Sequence, residues 1–448
     1  MPSVLNLETL MKKTEPLVFV ATSDISGITR GKAFPLSKLG SRLKKGVGWT
    51  PTNVMITCFD HIAPSPFGAL GDLLLMPDPD TAVDLEFDDQ APVERFILGD
   101  ITDLSGTTWD FCTRSLLKAA LTRLENVGGV SLLGAFEHEF QFRGDVPPGP
   151  QGFSLNGFTQ RRAFGETLMA CLEQGGLETD TFMKEYGANQ YEVTNGPAKG
   201  IRVADDAVIL REVTRMTAQY HSESVTFTPI RDPAGVGNGV HIHMSFIGKD
   251  GNPATWDATG PAGMSPVSAS FVAGILKYLD SIIALTAPSA VSYLRLTPHR
   301  WSAAYNNLGY RDREASVRIC PVTSEDPEQI ARQYNFEYRA ADAAASPYLA
   351  LAAIIHAGCQ GIEEGLPAPA VTAEDLSELS ADELATKGYV RLPQSLEEAL
   401  ERFEKNETVC GWFPQDFASV YTAHKQGELS VVADMDEAGR CAAYEAIY

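Results

Sequence analysis

The segment GAFEHEFQF at residues 134–142 constrains the fold of this chain most strongly, because it alternates like a strand yet carries two carboxylates. Residues two apart in a strand point to the same side, so Glu137 and Glu139 project together and His138 points the opposite way. Burying two ionised carboxylates side by side is unfavourable unless a cation holds them. The segment predicts either an edge strand that faces water or a sheet that surrounds a cation site.

A second segment, VGNGVHIHMSF at residues 236–246, has the same alternation with histidines. His241 and His243 share one face of a strand that follows a glycine-rich turn. Neutral imidazole ligates metals and donates hydrogen bonds, so the pair is typical of a metal or phosphate site. Two partly exposed histidines on an open sheet face are the structural alternative.

Further carboxylates and arginines accompany these strands. Glu185 and Glu192 flank the turn-like GAN in KEYGANQYEV, and Glu337 stands two residues before Arg339. Four more arginines lie nearby in the sequence: Arg295, Arg311, Arg313 and Arg318. Carboxylate ligands with some imidazole suit Mg²⁺ or Mn²⁺ better than Zn²⁺. Two such ions beside arginines predict a phosphoryl-transfer site, and the absence of GxxxxGK[ST] excludes a P-loop enzyme.

Composition excludes several classes of function. With 36 basic and 58 acidic residues the net charge is 36 − 58 = −22, so we expect neither a nucleic-acid nor a membrane partner. The longest apolar run, YLALAAIIHAGC, is too short to cross a bilayer. Seven scattered cysteines without a CxxC pair indicate reduced thiols. The N-terminal MPSVLNLETLMKK has no apolar signal-peptide core, and together these features predict a cytoplasmic protein.

The chain divides into two predicted domains, residues 1–108 and 109–448. The first has short apolar runs between Pro, Asp and Gly, which predicts strands with little helix. The second begins with the amphipathic DFCTRSLLKAALTRLENVGG and then alternates strands with helices. We expect strands near 130–142, 190–195, 224–228, 239–246 and 315–320, and helices near 160–175, 203–221, 265–286, 326–333, 346–363 and 395–406.

Six motifs in order resemble the glutamine synthetase family: ExE, E-x6-E, NGxHxHxS, YxRL, DRxxSxR and ExR-x2-D-x4-PYLALAA. The resemblance runs from DISGITRGK to SLEEAL and so covers nearly the whole chain. It implies an α+β fold with a small β-grasp-like N-terminal domain and a large catalytic α/β domain on a curved antiparallel sheet. It also implies rings of identical subunits, usually dodecamers of two hexamers, with active sites between neighbours.

The resemblance also implies a role for each matched residue. Metal ligands are Glu139, Glu185 and Glu192 for one ion, and Glu137, His241 and Glu337 for the other. Residues near ATP are His243, Ser245, Arg313 and Arg318, and residues that hold glutamate are Gly237, Arg295 and Arg339. Catalytic groups are Arg313, Arg339 and Glu185, the last as a possible base.

The implied reaction has two steps and needs ATP as co-substrate with two or more Mg²⁺ or Mn²⁺ ions. The γ-carboxylate of L-glutamate attacks the γ-phosphate of ATP, which gives γ-glutamyl phosphate. An amine then attacks the acyl phosphate and displaces phosphate. This agrees with the phosphoryl-transfer site that the residues predict by themselves.

Two departures from the family pattern concern the amine. Ammonia-using members have an acidic residue six positions after the YxRL arginine and an aspartate from the neighbouring N-terminal domain. This chain has Trp301 at the first position and, on a looser alignment, Thr50 at the second. Losing acids from an ammonium pocket removes the groups that attract a small cation, and an indole offers an apolar surface.

These departures predict a γ-glutamyl ligase for an alkyl or aromatic monoamine. A packing role for Trp301 over a closed flap remains open. The alternatives are glutamine synthetase itself, a γ-glutamylpolyamine synthetase, and a non-catalytic relative that keeps the fold. The intact metal-ligand pattern disfavours the non-catalytic relative.

Overall fold

The computed structural model describes residues 14–448 and has an α+β fold, as expected. The segment MPSVLNLETLMKK, on which the expectation about a signal peptide depends, lies outside the described residues. Two sheets organise the described chain. One belongs to residues 17–102 and the other to residues 130–372.

The N-terminal sheet has six strands: β1 Leu17–Ser23, β2 Thr29–Pro35, β3 Val47–Trp49, β4 Leu73–Pro77, β5 Val83–Leu85 and β6 Glu94–Thr102. The order is β2-β1-β6-β4-β3, with β5 also paired to β6, and only β1 and β6 run parallel. The helix α1 Leu39–Lys45 precedes β3. Alternate apolar side chains such as Val20, Leu75 and Ile97 form a buried cluster on one face.

The larger sheet has ten strands: β7 Val130–Phe142, β8 Thr179–Lys184, β9 Gln190–Asn195, β10 Ala198–Lys199, β11 Val225–Thr226, β12 Val240–Gly248, β13 Leu308–Tyr310, β14 Val317–Ile319, β15 Phe336–Ala341 and β16 Val371–Thr372. The main path is β16-β13-β14-β15-β12-β7-β9-β8. Strands β7, β9, β12 and β15 pair antiparallel, as predicted, whereas β13 pairs parallel with β14 and β16.

Thirteen further helices follow the first sheet within the described chain: α2 Thr113–Gly128, α3 Leu155–Gln160, α4 Arg162–Gln174, α5 Arg202–Tyr220, α6 Pro266–Thr286, α7 Ser292–Arg295, α8 Pro327–Gln333, α9 Pro347–Glu363, α10 Ala381–Lys387, α11 Leu396–Lys405, α12 Glu407–Cys410, α13 Phe417–Val431 and α14 Glu437–Ile447. The predicted division after residue 108 falls between β6 and α2 and stays a prediction. Buried residues from both sides of it, such as Leu98 and Leu117, belong to one core cluster.

Helices α6 and α9 pack directly against each other because glycines let their backbones approach. A Cβ atom on Gly361 would lie 2.2 Å from the carbonyl oxygen of Ser270 and 2.6 Å from the Cα of Gly274. No side chain fits in that space. Helix α6 is also long and apolar enough to cross a membrane, with a mean hydropathy of 1.5, but 72% of that window is buried inside the fold. Such a buried core helix is weak evidence for a membrane span.

The register of the larger sheet sets the geometry of one face. His241 on β12 lies opposite Glu137 on β7, and Glu192 on β9 lies opposite Glu139. On the other face His138 is buried and stacks against Phe136 at a centroid distance of 5.9 Å. The period-two alternation therefore separates a hydrophobic face from a polar one, and the carboxylates of β7 do not lie on an open edge strand.

Candidate active site

A row of carboxylates and imidazoles crosses three adjacent strands. The Nδ1 atom of His241 lies 3.3 Å from an oxygen of Glu137. The Nε2 atom of His243 lies 3.0 Å from the other oxygen of Glu137 and 2.9 Å from Glu337. His243, which the resemblance places near the nucleotide, thus bridges two carboxylates of the predicted second metal set.

The two histidines differ in protonation. Burial, together with the nearby Arg339 guanidinium, lowers the pKa of His241 to about 4, so its imidazole is neutral at pH 7 and can ligate a metal. Burial also acts to lower the pKa of His243, but Glu137 and Glu337 outweigh it and hold that pKa well above its usual range. The imidazolium of His243 thus supplies positive charge between two carboxylates.

Three glutamates form the second part of the site. Glu139 accepts hydrogen bonds from the backbone N–H of Gly239 at 2.8 Å and from the Nε2 of Gln190 at 3.1 Å. Burial and then the neighbouring Glu185 raise the pKa of Glu139 to about 7. Burial raises the pKa of Glu192 well above its usual range, and Glu137, Glu139 and Glu185 raise it further. Carboxylates crowded together in this way are stabilised by a cation.

The donor set fits a hard divalent cation. Glu137 and His241, predicted for one ion, and Glu192, predicted for the other, each offer a ligand atom, and these atoms all lie within 4.8 Å of one another. Oxygen donors with one neutral imidazole suit Mg²⁺ or Mn²⁺. A second group within the same distance comprises His243, Cys320 and Glu337. In that group the Nδ1 of His243 lies 3.7 Å from the sulfur of Cys320, and its Nε2 lies 2.9 Å from an oxygen of Glu337.

Two arginines converge on Glu337. One oxygen of this carboxylate lies 2.9 Å from an Nη of Arg318 and 2.6 Å from an Nη of Arg339. Burial acts to raise the pKa of Glu337, but His243, then His241 and Arg339, keep it well below its usual range. The Nε of Arg339 donates to the backbone oxygen of Arg313 at 3.1 Å, and Arg313 itself is exposed. Of the two predicted phosphate-binding arginines, Arg318 therefore contacts a predicted metal ligand with its side chain, whereas Arg313 is linked to Glu337 only through its backbone oxygen and Arg339.

Arg295 is buried beneath the glycine-rich turn rather than projecting into open space. Its guanidinium donates to the backbone oxygens of Arg339 at 3.1 Å and Ala341 at 2.8 Å. A Cβ on Gly237 would lie 2.8 Å from the aliphatic part of Arg295, so the turn needs glycine here. The structure thus brings Gly237, Arg295 and Arg339 together, and their role toward glutamate stays a prediction.

Ser245 continues the polar face two residues beyond His243, and its hydroxyl donates to the backbone oxygen of Leu133 at 3.3 Å. On the same side, the Nδ1 of His243 lies 2.9 Å from the side-chain oxygen of Asn335. The predicted nucleotide residues therefore lie at the end of the metal-ligand row, and their contact with ATP stays a prediction.

The two predicted amine-pocket residues lie in different parts of the chain. Trp301 is 63% exposed, and its backbone oxygen accepts from an Nη of Arg339 at 3.3 Å. Thr50 is half-buried and precedes the 3-10 helix Pro51–Met55 beside the N-terminal sheet. No hydrogen bond joins Thr50 to Trp301 among the described residues, and a pocket that uses both stays a prediction.

Several residues at the site were missed by sequence reasoning. Gln190 donates to Glu139, to the backbone oxygen of Gly237 at 2.8 Å and to Asn238 at 2.9 Å. Its spacing of two from Glu192 on β9 could have revealed it. Asn335 and Cys320 carry the same signal, because each lies two residues from a predicted site residue, Glu337 or Arg318. Glu314 carries none, because its partners lie 15 and 13 positions away.

Comparison with protein-family models shows which family the chain belongs to. The model for the glutamine synthetase catalytic domain matches residues 110–438, and the model for its N-terminal domain matches residues 5–109. The chain belongs to the glutamine synthetase family. Glutamine synthetase homologues are ATP-dependent C–N ligases, and this chain is an enzyme of that class.

Individual relatives are similar in sequence to this chain over most of its length. A γ-glutamylpolyamine synthetase from Streptomyces coelicolor is 32% identical, over 95% of this chain and 92% of the relative. A glutamine synthetase from Pyrococcus woesei is 30% identical, over 88% of this chain and 85% of the relative. A crystal structure described as a novel glutamine synthase homolog is 40% identical, with a TM-score of 0.88 over 98% of this chain and 99% of that one.

A further solved glutamine synthetase-like structure, described as a GmaS/ADP complex, has a TM-score of 0.80 over 97% of each chain. Its identity of 21% supports the fold alone. Family members use ATP, divalent metals, glutamate and an amine or ammonia, and they are typically oligomeric.

Proposed function

We propose that this glutamine synthetase-family ligase joins the γ-carboxylate of L-glutamate to an alkyl or aromatic monoamine through γ-glutamyl phosphate. The observation that carries the amine class is the exposed indole of Trp301 on a segment bonded to Arg339, itself in contact with Glu337. An indole at that point offers apolar surface to an amine substituent and no negative charge to ammonium.

The residues of the site would divide the work as follows. Glu139, Glu185 and Glu192 would hold one Mg²⁺ or Mn²⁺ ion, and Glu137, His241 and Glu337 the other. Bound ions would neutralise the phosphate charge of ATP and favour transfer of its γ-phosphoryl group. Arg313, Arg318 and Arg339 would stabilise the negative charge of that group. Gly237, Arg295 and Arg339 would orient glutamate, and Glu185 would accept a proton from the amine.

A second aromatic side chain supports an apolar amine-binding surface. Tyr186 directly follows the proposed base Glu185, is 67% exposed, and donates its backbone N–H to that carboxylate at 3.0 Å. A Cβ on Gly152 would lie 3.1 Å from the Tyr186 ring, and the next residue, Phe153, is also exposed. An exposed aromatic ring beside a proposed base suits an organic substituent better than a small hydrated cation.

The proposal is tested by following phosphate release with glutamate, ATP, Mg²⁺ and one amine at a time. The amines are ammonium, methylamine, isopropylamine, ethanolamine, putrescine and aniline, and mass spectrometry identifies the glutamyl amide. We expect the highest kcat/KM with an alkyl or aromatic monoamine. The Trp301→Glu variant should shift the ratio of kcat/KM values toward ammonium by about 10-fold or more, the range that one pocket contact supplies. A wild-type enzyme that prefers ammonium contradicts the proposal.

A γ-glutamylpolyamine synthetase is the second candidate, because the Streptomyces coelicolor relative of that name aligns over 95% of this chain. Putrescine discriminates between the two within the same panel. A polyamine ligase would turn over putrescine with a kcat/KM above that of isopropylamine or aniline, whereas a monoamine ligase would show the reverse.

A ring assembly is also proposed, with Thr50 of one subunit facing the site of the next. The family is typically oligomeric, and Thr50 belongs to the N-terminal sheet region whereas Trp301 lies between α7 and β13. Light scattering after gel filtration measures the subunit number, for which we expect twelve, as the resemblance implies. A monomer that retains full activity would contradict this assembly.

A further inference from the structure

The segment that carries Trp301 is attached to a single carboxylate. The backbone N–H of His299 donates to one oxygen of Glu314 at 3.0 Å, and the backbone N–H of Trp301 donates to the other at 3.1 Å. Each of the two carboxylate oxygens of Glu314 thus accepts a hydrogen bond from the backbone of the same loop, at residues two positions apart. Hydrogen bonds to an ionised carboxylate are stronger than those to a neutral oxygen.

The held conformation is one that the loop would not favour alone. His299 has a φ of 62° and Trp301 a φ of 53°, both in the left-handed region that side-chain-bearing residues rarely adopt. Such residues persist where surrounding contacts impose the conformation. Here the contacts come from Glu314 on one side of the backbone and from Arg339 on the other, through the carbonyl oxygen of Trp301.

Glu314 is itself fixed relative to the site. Its backbone N–H donates to the side chain of Asp312 at 2.9 Å, and it directly follows Arg313 in the turn before β14. Between His299 and Trp301, Arg300 donates to the backbone oxygens of Pro233 and Gly235 at 2.9 Å each. The loop at 299–301 is therefore bonded both to the arginine turn and to the turn before Gly237.

We propose that Glu314 is a positioning residue that sets the Trp301 loop over the acyl phosphate and thereby controls which nucleophile reaches it. This role rests on the proposed function, and it adds the residue that holds the Trp301 indole in position. Glu314 acts through the backbone of Trp301 and touches no substrate.

Loosening this contact should admit water to the intermediate. Water would then replace the amine: its oxygen forms a bond to the acyl carbon of γ-glutamyl phosphate, and the bond from that carbon to the phosphate oxygen breaks. One water proton goes to phosphate and the other to solvent, which leaves glutamate and inorganic phosphate. The measurable sign is phosphate released without amide formed.

The test compares Glu314→Gln with wild type and with Glu325→Gln, a matched change at an exposed glutamate. Gln has nearly the same shape but presents an amide NH₂ to one backbone N–H, so one hydrogen bond is lost. We expect the amine KM and the phosphate-to-amide ratio each to rise about 10- to 100-fold, the change that corresponds to the loss of one hydrogen bond to a charged group. The ATP KM should stay within about twofold of wild type, and Glu325→Gln should match wild type throughout.

A double-variant comparison separates positioning from general stability. In a Trp301→Ala background, Glu314→Gln should change the phosphate-to-amide ratio less than it does alone, because both changes act on the same loop. If Glu314→Gln does not fold, Glu314→Asp serves instead, since it keeps the charge with a shorter reach. A folded variant with unchanged amine KM and unchanged phosphate-to-amide ratio overturns the inference.

Failure of the proposed amine class gives a different pattern. The same ratio can be measured with whichever nucleophile the wild-type enzyme prefers, ammonium included. A preference for ammonium with a raised ratio in Glu314→Gln would contradict the monoamine proposal and support the role of Glu314. A preference for an organic amine with an unchanged phosphate-to-amide ratio in Glu314→Gln would support the monoamine proposal and contradict the role of Glu314.

Discussion

Glu137 and His241 are directly opposed on antiparallel strands, with 3.3 Å between a carboxylate oxygen and the Nδ1 atom. The imidazole is neutral at pH 7 because burial and Arg339 lower the pKa of His241 to about 4. A carboxylate and a neutral imidazole side by side would form half of the proposed metal site, and this half would not need to lose a proton before it binds an ion.

Removing this imidazole should remove one ion. We expect His241→Asn to bind one Mn²⁺ fewer per subunit than wild type in calorimetric titration, because the remaining ion depends on Glu139, Glu185 and Glu192. His61→Gln, at an exposed histidine, should keep the wild-type stoichiometry. Equal stoichiometry in all three proteins would place His241 outside the metal site.

Replacing Arg339 with lysine should reduce turnover more than ATP binding. The planar guanidinium contacts Glu337 and the backbone oxygens of Arg313 and Trp301 together, and a lysine ammonium cannot reproduce this fork. Steady-state kinetics should show kcat lower by about 10²–10³-fold, as for other lost charge-stabilising donors, with a smaller change in the ATP KM. Arg162→Lys, on an exposed helix position, is the control. A kcat within twofold of wild type would exclude a role for Arg339 in the chemistry.

The contact between α6 and α9 should not tolerate a methyl group. Gly361→Ala places a Cβ atom 2.2 Å from the carbonyl oxygen of Ser270, so one helix must shift. Overpacking of this kind costs about 1–3 kcal/mol of unfolding free energy, seen as a lower thermal midpoint. Gly40→Ala in α1 meets no atom within 4 Å and should leave the midpoint unchanged or slightly higher. Equal midpoints for Gly361→Ala and wild type would show that the helices lie farther apart than described.

Two buried histidines should make the fold sensitive to mild acid. Burial and then Arg123 lower the pKa of His356 to about 3, and burial and then Lys425 lower the pKa of His424 to about 3. Unfolded histidine has a pKa of about 6.5, so the unfolded chain binds more protons between pH 3 and 6.5. Stability is therefore complete above pH 6.5 and falls as the pH drops below it.

At pH 5.5 each of these histidines should have lost about 1 kcal/mol of its contribution. The difference in thermal midpoint between pH 7.5 and pH 5.5 should shrink in His356→Gln and in His424→Gln. It should stay at the wild-type value in His61→Gln. An unchanged difference in both buried variants would mean that other groups dominate acid unfolding.

Strands that carry the site could be predicted closely because their alternation is local. The segment 130–142 was predicted as a strand and forms β7 with the same bounds, and 190–195 forms β9. Helices near 265–286 and 346–363 begin one residue later than predicted and end at the predicted residues. In these elements periodicity, capping residues and turn residues all favour the same structure.

Other features depend on contacts that no local pattern encodes. The attachment of His299 and Trp301 to Glu314 needs two residues with positive φ and a partner thirteen or more positions away. The bridging position of His243 follows from the register of β12 against both β7 and β15. Parallel pairing of β13 with β14 also escaped prediction, because these strands have three residues each and too few positions to show a period.

The proposed function depends most on the identity of the nucleophile, which we propose to be an organic monoamine. A single reaction that contains glutamate, ATP, Mg²⁺ and equal concentrations of ammonium and the best organic amine measures the two kcat/KM values as a product ratio. Mass spectrometry should find γ-glutamyl amide in at least about 10-fold excess over glutamine. Glutamine in excess would contradict the proposed function and identify the enzyme as an ammonia-dependent glutamine synthetase.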